Sequence, residues 1–115
     1  MLPQMQTVRA ARLAMATRFE ILLNGEDEPR LRAIAEEALD EIVRLEGALS
    51  LYRPDSEVSR ITSHAAREWV RVPREVFNLV ERSLSLSAMT GGAFDITVAP
   101  LVRAWGFMGG AGAAP

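Results

Sequence analysis

Between Glu28 and Ala48 apolar residues recur at three- and four-residue steps, and no other feature constrains the fold of this chain as tightly. Leu31, Ile34, Ala35, Ala38, Leu39, Ile42, Leu45 and, just beyond, Leu49 form one stripe along an α-helix. Glu36, Glu37, Asp40, Glu41 and Arg44 fall largely on the opposite side. Asp40 and Arg44 stand one turn apart with opposite charge, a pairing worth roughly a few tenths of a kcal/mol. Asp27 is placed to cap the helix, and Pro29 sits in the first turn, where its missing N–H costs nothing. This helix is a core element with solvated charges.

The segments around it read as short strands and a second helix. Thr7–Ala14 is a weakly patterned first strand. Thr17–Leu23 alternates, with Phe19, Ile21 and Leu23 on one face, and Asn24-Gly25 is a turn signal that ends it. After the long helix, Leu49–Arg53 is a short extended piece. Asp55 or Ser56 can then cap a short helix through Glu57–Ile61. Glu68–Val72 alternates again and reads as a strand. Pro73 opens the second helix, with Val76, Val80, Leu84 and Ala88 facing inward, flanked by Phe77 and Leu79; Gly91-Gly92 stops it. Ala93–Val98 reads as a strand or extended entry, Ala99–Trp105 as a short helical turn begun by Pro100, and Met108–Pro115 as a Gly/Ala-rich linker.

With 115 residues the chain is sized for one domain with a real core. A net charge of −2 argues against a nucleic-acid protein held by bulk electrostatics, and the arginines form no basic stripe. The absence of cysteine excludes disulfides, a thiolate zinc site and a cysteine nucleophile, and removes a lipid attachment point. Arg9, Arg12 and Arg18 interrupt every apolar run near the start, so no signal peptide or membrane span is read there. As written, the chain is expected in the cytosol.

Two places could meet a ligand. Tyr52 offers a π-face and a hydroxyl suited to an aromatic ring, or else packs half-buried. Gly91-Gly92-Ala93 leaves backbone N–H groups open to close approach, Phe94 adds an aromatic wall and Asp95 an acceptor. The bland reading there is a helix cap leading into a strand, with Asp95 satisfying local backbone. No G-x-G-x-x-G follows a strand, which argues against a dinucleotide fold of that type. His64, the single histidine, has no partners in sequence and reads as a solvated loop residue. Glu26-Asp27-Glu28 reads as favourable charge at a helix N-terminus rather than a cation site. Trp69 and Trp105 read as core or interface residues.

Taken in order, Met15-Ala16-Thr17, the run LSLYRPDSE (Leu49–Glu57) and the run TGGAFDITVAPLVRAWGF (Thr90–Phe107) resemble the ApbE family of flavin transferases. The resemblance covers about Leu13 to Phe107, so residues 1–107 are expected to be the N-terminal part of such a domain and 108–115 a linker or truncated tail. It implies an α+β fold, part of a T-fold-like domain, with two main helices packed on a small, mostly antiparallel sheet. It implies FAD:protein FMN transfer, in which FAD is the substrate, an acceptor-protein Thr or Ser receives FMN, and AMP leaves. By position it implies FAD contacts at Met15, Tyr52, Ala93, Phe94 and Asp95. Mg²⁺ is implied too, on Asp and Thr residues beyond Pro115, so no catalytic or metal-ligating residue is assigned within the chain. The chain alone is then expected to bind flavin at best, or to act as a flavin-binding module. A degenerate remnant that self-associates through exposed apolar surface is the other reading. Relatives are often exported. Ala16 stands where glycine is usual, restricting the backbone beside Met15, and Val72 where a capping serine is common.

Overall fold

A computed structural model of the chain describes residues 2 and 4–107. The linker expected at 108–115 lies outside the described residues. Two strands, β1 (Gln6–Ala14) and β2 (Thr17–Gly25), pair antiparallel in register from Gln6↔Gly25 to Ala14↔Thr17. Helix α1 (Glu28–Leu49) packs across one face of this hairpin. The α+β class expected from the sequence is what the chain adopts.

The tight turn falls at Met15-Ala16, not at Asn24-Gly25. Met15 and Ala16 have φ of 52° and 57°, both left-handed. A two-residue hairpin loop needs that hand because only then does its twist match the strands. Glycine or asparagine usually fills such positions; each other residue costs roughly 1–2 kcal/mol. Asn24-Gly25 instead continues β2. Asn24 accepts the Thr7 hydroxyl across the ladder at 2.7 Å. Gly25 lies so close to Leu31 that an added Cβ would stand 3.2 Å from its methyl groups. The glycine therefore serves the approach of α1, and the chain bends only at Glu26.

Alternation along the strands sets the core. Val8, Ala10 and Ala14 are buried, and Ala10 packs with Ala35 and Leu39 of α1, both fully buried. Phe19, Ile21, Leu23 and Ile42 close around them. Arg12 shares this face of β1 and reaches α1, pairing with Glu36 at 2.6 Å and with Asp40. Such solvent-screened pairs add little to stability. Asp27 caps α1, accepting the Arg30 N–H at 3.1 Å. Glu28 pairs with Arg32 one turn on. The acidic run thus serves the helix start, as its position suggests.

Helix α2 (Glu57–His64) runs three residues past Ile61, and its cap is Ser56 rather than Asp55. His64 ends this helix instead of lying in a loop; exposed, its Nδ1 meets the Arg60 carbonyl at 2.9 Å. Residues 68–72 form no strand, having no ladder partner among the described residues. Trp69 is fully exposed and Trp105 is 55% exposed, so neither is a core residue.

Residues 72–107 belong to a second compact unit. Helix α3 (Arg74–Met89) starts after Pro73 without a side-chain cap. Its expected stripe is covered only in part. Val76 is buried and Val80 half-buried, but Leu84 is 59% exposed and Ala88 is exposed too. Gly91 and Gly92, at φ 61° and 84°, end the helix. The Gly92 N–H returns to Ser87 O at 2.8 Å and the Gly91 N–H to Ala88 O at 3.3 Å, a paired closure typical of left-handed helix ends. Helix α4 (Ala99–Ala104) closes the same way at Gly106. Between them, Ala93–Val98 is a run of bends and turns and not the strand or extended entry expected from the sequence. Asp95 is the cause: its Oδ1 accepts both the N–H and the hydroxyl of Thr97, at 2.8 and 2.7 Å, and coils the segment.

Candidate functional site

Two of the residues singled out by sequence, Met15 and Tyr52, line one pocket. Its other walls are Glu46, Leu49, Ser50 and Leu51. The hairpin turn delivers Met15, 41% exposed, and the end of α1 delivers the rest. Tyr52 is 62% exposed, so it is not the half-buried packing tyrosine that residue type alone allows. The pocket holds about 180 Å³. That is below the roughly 300 Å³ at which small-molecule sites begin, so it admits one ring system and not a dinucleotide. Its walls are apolar side chains, an aromatic face, a serine and a single charge, the Glu46 carboxylate. Such a lining suits a flat ring with N–H donors and repels a phosphate.

A knot of serines fixes the loop that carries Tyr52. Ser56, fully buried, donates its hydroxyl to Ser50 O at 2.6 Å and accepts the Ser59 N–H at 3.0 Å. Ser59 donates its own hydroxyl to Arg53 O at 2.7 Å, and Tyr52 N–H donates to Ser50 Oγ at 3.1 Å. The loop is therefore tied to the start of α2 on both sides of Tyr52. Sequence reasoning saw Ser56 as a helix cap and missed this second use. It missed Glu46 as well, which accepts the Met15 N–H. The available signal was an acidic side chain in the last turn of a helix, where the dipole disfavours it.

In the second unit, Ala93, Phe94 and Asp95 form an exposed turn. Its backbone is less open than the glycines suggest. The N–H groups of Gly91, Gly92 and Ala93 go to Ala88, Ser87 and Thr90 carbonyls, and that of Phe94 to the Thr90 hydroxyl at 3.0 Å. Backbone donors at 91–94 are thus spent on the helix end and unavailable to a ligand. What remains is the Phe94 ring, 43% exposed, and the second oxygen of Asp95. Hydrogen bonds from the Thr97 hydroxyl, then from its N–H, hold the Asp95 carboxyl below the ordinary carboxylate range. Asp95 is thus an anion and an acceptor at neutral pH. Gly91 and Gly92 border open space, with nothing within 4 Å of an added Cβ.

Known proteins give this geometry a context. A FAD:protein FMN transferase of Klebsiella pneumoniae (strain 342) is 41% identical over 98 residues, 81% of this chain and 27% of that protein. One of Vibrio cholerae serotype O1 is 42% identical over 59 residues, 51% of this chain and 18% of its own length. The solved ApbE protein of Thermotoga maritima matches with a TM-score of 0.80 at 32% identity, over 92% of this chain and 34% of that one. The chain therefore spans 18% to 34% of the length of these proteins. Residues 15–115 match the ApbE family, and the chain belongs to it.

Proposed function

We propose that this chain supplies flavin-nucleotide contacts of a FAD:protein FMN transferase, with FAD as its ligand. Met15 and Tyr52 hold a ring of FAD in the pocket beside Glu46. In the second unit, Phe94 offers a flavin nucleotide a ring face and Asp95 an acceptor for a hydroxyl or N–H, beside the small side chain of Ala93. In the reaction of such transferases, a Thr or Ser hydroxyl of an acceptor protein bonds to the FMN-side phosphorus of FAD. The phosphorus–oxygen bond to AMP breaks, and the hydroxyl proton leaves to a base or to solvent. Mg²⁺ would neutralise charge developing on the phosphate oxygens. Among the described residues no three His, Cys, Asp or Glu side chains are grouped to hold a metal ion. The role proposed for this chain is binding and orientation.

The observation that carries this reading is the convergence of Met15 and Tyr52, distant in sequence, on one open pocket. FAD fluorescence anisotropy tests it. Titrating the chain into FAD should raise the anisotropy, and Tyr52→Ala should weaken binding by about five- to 150-fold, since stacking on an aromatic side chain is worth about 1–3 kcal/mol per ring. Equal titrations for the two proteins would remove Tyr52 from the site. No rise with the wild-type chain would remove the site itself.

A further inference from the structure

The turn that presents Met15 is strained on both of its residues, and something must hold it. In a two-residue hairpin loop the flanking residues, here Ala14 and Thr17, complete the ladder. The N–H of the first loop residue has no strand partner. In this chain that N–H belongs to Met15, and the Glu46 carboxylate accepts it. Glu46 lies in the last turn of α1, which carries no basic residue to offset it. An acidic side chain is disfavoured there by the helix dipole. Glu46 has a local use there: it clamps the turn to the helix whose end forms the rest of the pocket.

We propose that Glu46 is a positioning residue for the ligand: its carboxylate pins the left-handed Met15-Ala16 turn to the end of α1 and so sets where Met15 meets a bound ring. This rests on the FAD-binding reading and adds to it a residue that acts through Met15. The clamp requires an acceptor at Glu46 and no negative charge. Glutamine supplies the acceptor and alanine does not. Glycine at position 16 would favour the same left-handed turn without a clamp, because glycine takes that conformation freely.

FAD anisotropy titrations on the full chain separate these roles, with circular dichroism verifying that each variant is folded. Glu46→Ala should weaken FAD binding about ten-fold, and Glu46→Gln should stay within about two-fold of wild type. Adding Ala16→Gly to Glu46→Ala should recover most of the loss. A Glu46→Ala chain that binds like wild type, while Tyr52→Ala fails, overturns the proposal and leaves the pocket standing. So does a folded Glu46→Ala chain that Ala16→Gly cannot rescue, or a Glu46→Gln chain as weak as the alanine variant. Loss of binding in none of the variants, or no binding by wild type, instead sinks the pocket reading. Hydrogen exchange at the Met15 amide of the wild-type chain gives a measurement independent of variant folding. The clamp predicts protection well above that of the neighbouring Ala16 amide, and equal, fast exchange at both contradicts it.

Discussion

Replacing Leu39 by alanine is expected to lower the unfolding free energy by about 3 kcal/mol, within the range for leucine-to-alanine changes in packed cores. Leu39 is fully buried and sits at the centre of the cluster that joins α1 to the hairpin. Its neighbours Ala10 and Ala35 are too small to close the gap left behind. Small domains are stable by only about 5–15 kcal/mol, so a loss of this size is a large share of the total. For a domain of this size it should lower the thermal midpoint by about 15 °C. A shift below about 5 °C in a calorimetric scan would mean that α1 does not depend on this contact. Ile34→Ala on the same helix is the control. Ile34 is 45% exposed, so its removal should cost far less.

Ser56→Ala should cost about 2 kcal/mol and also disturb the site. The change removes an N-cap, worth about 1 kcal/mol by itself. It also strands the Ser59 N–H and leaves the Ser50 carbonyl only the longer Ser59 hydroxyl contact at 3.4 Å. A buried polar group left without a partner costs about 1–3 kcal/mol. The two losses overlap at Ser59 N–H, hence the intermediate figure. Because the same hydroxyl ties down the loop bearing Tyr52, FAD binding should weaken in parallel with the fall in urea midpoint. Stability lost with binding intact would show that Tyr52 is oriented by its own bond to Ser50 alone.

What the sequence made legible was whatever a local pattern decides by itself. The Asp27 cap, Pro29 in the first turn, the alternation of Phe19, Ile21 and Leu23 and the centre of the α1 stripe at Ala35 and Leu39 all appear in the structure, although Ile34 and Ala38 of that stripe are exposed. So does the glycine stop after α3. The misses have a common cause, a partner that local pattern does not carry. Met15-Ala16 lacks every turn-forming residue type, and takes a left-handed turn because the ladder from Ala14↔Thr17 demands one and Glu46 holds it. Asn24-Gly25 has the turn signature but is used in β2, where Leu31 needs the space. Ala93–Val98 reads as extended, yet the two bonds that Asp95 Oδ1 accepts from the Thr97 N–H and hydroxyl coil it instead. Glu68–Val72 alternates too, but alternation forms a strand only beside another.

The candidate site divides in the same way. Tyr52 and Met15 were identifiable through the ApbE resemblance, and the structure gathers them into one pocket. The residues that hold them there, Glu46 and Ser56, act through bonds to backbone atoms that sequence spacing does not reveal. At Gly91-Gly92 the sequence suggested free backbone donors, and the helix end consumes them. Any contact at 93–95 therefore falls to the Phe94 ring and the ionised Asp95 side chain.

The proposed flavin-nucleotide contacts lie at the hairpin turn and the loop after α1. An amide-resolved nuclear magnetic resonance titration with FAD tests them most directly. Saturable shifts are expected at Met15, Ala16 and Leu49–Tyr52, with separate shifts at Phe94–Thr97 and little change along the exposed face of α1. Shifts confined to other regions, such as the surface around Trp69, or no shift at any FAD concentration, would contradict those contacts.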